Sequence, residues 1–452
     1  MKDRDVGMFV CGPTVYDQSH IGHIRTYVVF DVIAKYLRHK GYKVRYIMNI
    51  TDIDDRIIDR AREEGKDWKE ISETYEKDFL ESMESLGVDG VEKYIRATDH
   101  IKEIIKQVKT LLDKGYAYQI NEGIYFDISK FEDYGKLAKR TIEQAEDATS
   151  RIDDSVAKRN KGDFVLWRFS RSTGSGQAEP SWDSPWGKGR PGWHIEDTAI
   201  TEKYLGQQYD IHGGGHDLIF PHHEAEITQQ EAASGKKPFV RYWLHSGLVT
   251  VNGQKMSKSL KNYVAIREAL KDYSPDALRF LAISSHYRSS VEYREDLMKQ
   301  SEAAIQRIRE LVRKLGVIKK RDEKEEKHEF DEIIKNVKIE FENKMDDDFN
   351  TPEALAVIFN FIRLVNASIA ENSLDRKSAD RVLKFLNEID EILGIIPAAD
   401  SPIPDNVSEL VLERERLRKE KLWLEADKIR NELQTLGYSI EDTPYGPFIK
   451  KV

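Results

Sequence analysis

At 452 residues the chain is too long for one compact core, so two to four domains are expected. A net charge of -9 at pH 7 excludes a general polyanion binder and confines any nucleic-acid contact to local basic patches. One cysteine, Cys11, excludes an intrachain disulfide; with no apolar run of membrane-spanning length and no signal-peptide layout at the start, a soluble, cytoplasmic protein without a membrane partner is expected.

Residues 6–11, Val-Gly-Met-Phe-Val-Cys, read as a buried strand, since a short apolar run bounded by turn signals suits a parallel sheet. Gly12-Pro13 breaks it. The spacing of Val28, Ile33, Tyr36 and Leu37 predicts an amphipathic helix from about Ile21 to Lys40, stopped by Gly41, and Lys43–Asn49 predicts a second strand. Strand, helix and strand in that order form a Rossmann-like unit, here without a glycine-rich dinucleotide fingerprint. Residues 67–115 read as helical. From Gly115 to about Arg190 the pattern is irregular, with several strands and a Gly/Ser-rich loop at Ser172–Gln177, as an insertion into a nucleotide-binding fold would be. The sheet pattern resumes from Trp193 to Val251. After Ser274-Pro275 the chain reads as almost entirely helical. Lys319–Glu329 is a charge run suited to a solvated face, and the prolines of Pro397–Asn406 mark a linker to a final module.

His20-Ile21-Gly22-His23 opens the first helix. Its imidazoles project from one face, and the helix end adds free N–H groups and a positive dipole, a setting for phosphate. Gly22 reads as room for an adenine ring, and His20 and His23 as donors to phosphates as charge grows at the α-phosphorus. Far along the chain, Lys255-Met256-Ser257-Lys258-Ser259 follows a Gly-containing turn, where two ammonium groups suit a leaving pyrophosphate. Taken alone, such a loop is solvated surface. Between the two lies Asp210-Ile211-His212-Gly213-Gly214-Gly215-His216-Asp217, whose glycines either admit a ligand close to backbone or make a flexible turn. His222 and Glu226, four apart after Pro221, share a helix face suited to two ligands of one zinc ion, or to a surface hydrogen bond. Cys11 stands at a strand end, where ligands gather in open α/β sheets; by itself it reads as a buried inert thiol.

Alongside these motifs stand Val10–Asp17, Asn49–Asp55, Ser184–Glu196, Phe220–Glu224, Asp276–Arg279, Ala426–Arg430 and Glu441–Pro444. Over essentially its whole length the chain resembles the cysteinyl-tRNA synthetase family of class I aminoacyl-tRNA synthetases. The resemblance implies an α/β fold: a Rossmann-like parallel-sheet catalytic domain with an inserted connective domain, then an all-α anticodon-binding bundle and a small C-terminal module. The implied divisions are 1–115 and 191–265 for the catalytic halves, 116–190 for the insertion, 266–300 for a stem-contact region, 301–396 for the bundle and 397–452 for linker and module.

The resemblance also implies ATP, with Mg2+, at Pro13, Thr14, His20, Gly22, His23, Gly213, Gly214, Asp217, Lys255, Ser257 and Lys258, of which His20, His23, Lys255 and Lys258 are catalytic. It implies substrate L-cysteine at Gly12, Thr51, Trp193 and His194. One zinc per chain is implied on Cys11, His222, Glu226 and a cysteine that follows Gly-Trp-His-Ile-Glu. That position here is Asp197, a harder donor that keeps the formal charge of the site and is taken as the fourth ligand. Family members usually carry a further strand before the first one seen here.

The implied reaction joins cysteine to ATP as cysteinyl-adenylate and then to the 3′ end of tRNA(Cys), on a monomer. Zinc binding of the substrate as thiolate, which a serine hydroxyl cannot match, stands in for an editing domain. Arg414, Arg416, Arg418, Lys419 and Lys421 beside Trp423 form a candidate phosphate-and-stacking surface; read singly, each belongs to an ordinary charged helix with Trp423 in its core. Two alternatives stay open. A ligase passing cysteine to an amino sugar would lack the helical tail, and a non-catalytic RNA-binding paralogue would not keep His20, His23, Lys255 and Lys258.

Overall fold

In strand β1 (Asp5–Val10), Met8, Phe9 and Val10 are fully buried, so both faces of the strand need cover. The structure is a computed structural model that describes residues 4–140, 157–170, 179–256, 262–318, 329–396 and 404–451. The chain divides into two units, Met1–Asp272 with Tyr287–Tyr293, and Tyr273–His286 with Arg294–Val452.

In the first unit β1 leads through helix α1 (Ile21–His39) to β2 (Lys43–Ile50), then through α2 (Asp55–Glu64) and α3 (Trp68–Ser85) to the short β3 (Lys93–Arg96). Helix α4 (Ile101–Asp113) follows. Strands β4 (Ala117–Ile120), β5 (Gly123–Phe126), β6 (Phe164–Phe169) and β7 (Gly189–Pro191) then form a separate antiparallel sheet in that order. Its core includes Ile124, Phe126, Phe164 and Trp167, each fully buried side chain contributing roughly 1.5–3 kcal/mol. Helix α5 (Trp193–Tyr204), β8 (Tyr209–Gly215), α6 (Glu224–Ser234) and β9 (Val240–Ser246) complete the main fold. The main sheet has the order β3-β2-β1-β8-β9, and every pair in it is parallel. The winding direction reverses between β1 and β8, which opens a crevice at their carboxyl ends. Cys11 N–H donates to the Gly213 carbonyl there (3.0 Å).

Several local expectations change. The stretch 67–115 contains β3, a four-residue edge strand too short to interrupt the helical pattern around it. Trp193–Tyr204 is helix rather than sheet; His194 to Thr201 are all buried, so no polar face remains to mark a helical period. Pro221 does not open a regular helix but lies in an irregular wide turn, Ile219–His223, where Phe220 is extended.

The second unit is helical, with chain segments Pro275–Ile283, Glu295–Val317, Glu329–Asp346, Thr351–Ala370, Arg376–Leu393, Asp405–Lys419 and Trp423–Thr435. Ser274 caps the first by accepting from Ala277 N–H, and Pro275 sits in its first turn. The buried Arg279 donates Nε–H to the Leu393 carbonyl (2.6 Å), while Gly394, at φ +61, leaves space for the guanidinium. Thr351–Ala370 is, by length and composition, long and apolar enough to cross a membrane, contrary to the expectation from the sequence; Leu355, Ile358, Phe361 and Val365 on it are buried within the unit. An antiparallel hairpin, Tyr438–Thr443 with Gly446–Lys451, stands in a stretch that reads as almost entirely helical in the sequence. The Gly/Ser-rich Ser172–Gln177 lies outside the described residues, as do 319–328 and 397–403 of the charge run and the proline linker.

Candidate active site

The two distant motifs are drawn together by backbone. His20 pairs with Ala265 in an antiparallel bridge, Ile21 N–H donates to the Val264 carbonyl (3.1 Å), and Ile266 N–H donates to the Ser19 carbonyl (2.8 Å). The chain that follows the lysine-bearing segment therefore runs beside the start of α1. Lys255 ends a two-residue strand, Gln254–Lys255, and Ser257 and Lys258 lie outside the described residues.

His20 is the N-cap of α1. Its Nδ1 accepts from Gly22 N–H (3.1 Å), and His23 Nδ1 accepts from His20 N–H (3.4 Å). The two rings stack at 3.9 Å. Because each Nδ1 acts as an acceptor, the hydrogen-bond network assigns the proton of the neutral ring to Nε2. Burial keeps both rings neutral, lowering His20 to about 4 and His23 well below its ordinary value. A Cβ on Gly22 would stand 2.8 Å from the His20 ring, so the space its hydrogen leaves is taken by that imidazole.

Other glycines serve protein neighbours in the same way. A Cβ on Gly213 would stand 2.5 Å from the Phe30 ring, and one on Gly214 would stand 2.9 Å from the His223 imidazole. Asp217 is exposed just beyond them.

Gly12 lies against β2: its N–H donates to Asn49 Oδ1 (2.6 Å), and a Cβ there would fall 1.7 Å from the Asn49 carbonyl oxygen. The Pro13 carbonyl accepts from Thr51 N–H (3.1 Å), and Thr14 Oγ1 accepts from Arg56 Nη2 (3.0 Å). Thr51 in turn donates its hydroxyl to Glu196 Oε2 (3.1 Å). Trp193 stacks on His222 at 4.2 Å, and His194 Nδ1 lies 2.8 Å from His222 Nδ1. Trp193 and His194 line a cleft with Ile53, Asp54, Phe164 and Arg190.

Behind that cleft is a buried group of acids and imidazoles. Cys11 Sγ lies 3.3 Å from Asp197 Oδ2 and 3.8 Å from Glu226 Oε1. His222 Nε2 lies 3.0 Å from Asp197 Oδ2 and 3.1 Å from Glu226 Oε1. These four ligand atoms all fall within 4.8 Å of one another. Glu196 Oε1, Asp197 Oδ1 and Glu226 Oε2 are buried without a hydrogen-bond donor, and among the described residues no lysine or arginine pairs with these carboxylates. Glu226 Oε2 does approach His212 Nδ1 at 3.4 Å, but without hydrogen-bond alignment. Burial, then the Glu226 and Asp197 carboxylates, push the Cys11 thiol well up. Burial, then Asp197, push Glu226 up; burial, then Asp197, do the same to Glu196. So much desolvated acid calls for a cation, and a divalent ion bound here would reverse these shifts. The donors, thiol, imidazole and carboxylates, fit zinc.

Sequence reasoning missed part of this site. His212, His223 and His245 are buried or half-buried beside it, with His223 Nδ1 2.8 Å from His245 Nε2. Asn49 and Glu196 stand within the segments that carry the family resemblance, but nothing local in the sequence marks either as part of the site. The one available signal was density: four histidines within Asp210–His223 on an otherwise histidine-poor chain.

Sheet order, the helix-start histidines and the buried cluster together define a class I aminoacyl-tRNA synthetase. Residues 1–303 match the family model of the tRNA synthetases class I (C) catalytic domain, 340–397 the DALR domain, and 400–446 the cysteinyl-tRNA ligase anticodon binding domain. The chain belongs to the cysteine–tRNA ligase family. It is 43% identical to the cysteine–tRNA ligase of Thermococcus onnurineus, covering 100% of this chain and 96% of that one. It is also 43% identical to that of Thermodesulfovibrio yellowstonii, covering 98% and 95%. In fold it is similar to Mycobacterium tuberculosis methionyl-tRNA synthetase in complex with methionyl-adenylate, with a TM-score of 0.60 at 14% identity over 86% of this chain and 90% of that one.

Proposed function

We propose that the chain attaches L-cysteine to tRNA(Cys) in the cytoplasm, in two steps that use ATP with Mg2+. The observation that carries this reading is the link, through Tyr27, between the His20–His23 helix end and the buried Cys11–Asp197–His222–Glu226 group: the Tyr27 ring lies 5.8 Å from that of His23, and its hydroxyl donates to the Cys11 carbonyl (3.4 Å). In the first step the cysteine carboxylate attacks the α-phosphorus of ATP, forming cysteinyl-adenylate and releasing pyrophosphate. His20 and His23, held neutral with Nε2–H free, donate to phosphate oxygens as negative charge grows. Lys255 and Lys258 neutralise the leaving pyrophosphate. Thr51, fixed through Glu196, and Trp193, stacked on His222, shape the substrate side and exclude water. Cys11, His222 and Glu226, with Asp197, would hold zinc, which when bound offers the substrate thiolate a site that a serine hydroxyl fills poorly. In the second step a ribose hydroxyl at the tRNA 3′ end attacks the adenylate, giving cysteinyl-tRNA and AMP.

The test is cysteine attachment to tRNA(Cys) by the purified chain with serine in excess. Charging that serine does not inhibit is expected. Cysteine-dependent ATP–pyrophosphate exchange without charging would turn the assignment toward an amino-sugar ligase, and absence of both would leave a non-catalytic paralogue.

A further inference from the structure

Arg25 is a long cationic side chain in a run of α1 where Ile24, Tyr27, Val28, Val29 and Phe30 are buried, and it is buried with them, only 1% exposed. An arginine is almost never taken so far out of water unless it is held. Burial lowers it to about 10, which leaves the guanidinium charged at pH 7, and its Nη2 donates to the Ser289 carbonyl (2.8 Å). The reaction as drawn above makes no use of it.

Ser289 lies on a returning piece of chain. The chain enters the second unit at Tyr273, comes back to the first for Tyr287–Tyr293 only, and leaves again at Arg294. Tethered at both ends to the other unit, this segment keeps its place through contacts within the first. Strand β12 (Val291–Tyr293) pairs in parallel with β10 (Val249–Val251). Val291 N–H donates to the Leu248 carbonyl (3.0 Å), and Gly247 N–H donates to the Tyr287 carbonyl (2.7 Å). A three-residue ladder is a weak hold by itself. A Cβ on Gly247 would stand 2.1 Å from the Ser289 carbonyl oxygen, so that oxygen is pressed against the turn before β10, and Arg25 grips it from α1. Beside Arg25, Thr26 Oγ1 lies 2.9 Å from Ser246 Oγ at the end of β9.

What rests on β10 is the lysine-bearing segment. β10 continues through Asn252 and Gly253, both at positive φ, into β11 (Gln254–Lys255), which pairs back on it with Lys255 opposite Thr250. Met256 follows, and a Cβ on Gly22 would stand 3.4 Å from its Cε, so this segment lies over the start of α1. His20 and His23 are fixed to the helix and Lys255 to the hairpin. The two can serve one triphosphate only if helix and hairpin are held in register.

We infer that Arg25 is a positioning residue for adenylate formation: its bond to the Ser289 carbonyl locks the strand beside the Lys255 hairpin to the helix that presents His20 and His23. This deepens the proposed reaction and rests on it.

Hydrogen exchange gives a readout independent of activity. Arg25→Met, which keeps bulk without the donor, should speed amide exchange in 249–255 and 287–293 while β1 and β2 stay as protected as in the native chain. In cysteine-dependent ATP–pyrophosphate exchange, active sites are counted by the adenylate formed per chain. There the same variant should lose roughly ten- to a hundredfold in kcat/KM for ATP, yet keep KM for cysteine within about twofold. Arg25→Lys returns a cationic donor and should show the same pattern at smaller amplitude. Equal losses toward both substrates, or fewer active sites with native constants at those that remain, would reduce Arg25 to a folding role and overturn the inference. Native constants in Arg25→Lys beside an Arg25→Met that does not fold would do the same, as would unchanged amide exchange in 249–255. A native chain without cysteine-dependent pyrophosphate exchange would instead sink the proposed reaction, while the amide readout still tests the clamp.

Discussion

At His20 the imidazole caps α1 and, in the function proposed above, is offered to phosphate; its burial links its protonation to folding. Folded His20 titrates at about 4, below the ordinary 6.5. Between those values the unfolded chain binds more protons, so stability is fully present above pH 6.5 and is lost as pH falls towards 4. The buried acids work in the opposite direction: Glu196 and Glu226, with raised folded values, lose stability as pH rises past the ordinary carboxylate range. A comparison between variants isolates the histidine. His20→Asn keeps a capping side chain but carries no titrating proton, so its urea midpoint should gain on the native chain as pH drops from about 7 to about 5. A constant difference across that range would mean that His20 is not buried neutral. The same variant should slow ATP–pyrophosphate exchange by on the order of a hundredfold, since one preorganised donor is lost.

At the scale of elements, the crevice depends on how closely the end of β1 lies against β2. Gly12 is the contact that decides it, because a Cβ would meet a backbone oxygen, which cannot rotate away. Gly12→Ala should therefore cost more than about 3 kcal/mol or prevent folding. Gly65→Ala is the control: φ is +65 but nothing lies within 4 Å, so only the backbone penalty of about 1 kcal/mol applies. Equal urea midpoints for the two variants would show that the strand ends separate easily. Legibility in the sequence varied in the same way. β1, α1 and β2 were readable because Gly12-Pro13 and Gly41 punctuate them and their apolar spacing differs. Helix α5 was not, because burial all round erases the period that would have marked it.

At the scale of the whole molecule, the chain divides into two units, and the terminal module of the second shows where basic residues mislead. Arg414 is buried in two charge-assisted bonds to Asp442 (2.8 and 2.9 Å), a structural clamp rather than a phosphate contact. Arg416 pairs with Glu413 and Glu420, while Arg418 lies over Trp423 at 5.7 Å. Trp423 is 55% exposed, not in a core. Arg414→Met should loosen the hairpin Tyr438–Lys451, seen as faster proteolysis there, and lower tRNA charging while cysteine-dependent ATP–pyrophosphate exchange holds. A parallel fall in exchange would show that the units are not independent in function.

The family, the helix start at His20–His23 and the i,i+4 pairing of His222 with Glu226 were legible in the sequence alone, because each rests on short local patterns. Only the tertiary structure decided that His212 and His223 crowd the Cys11 thiol and that Arg414 is internal. The physical reason is distance along the chain. Parallel pairing of β1 with β8 joins residues some two hundred positions apart, as Cys11 N–H on the Gly213 carbonyl does, and no local periodicity encodes which buried donors will meet there.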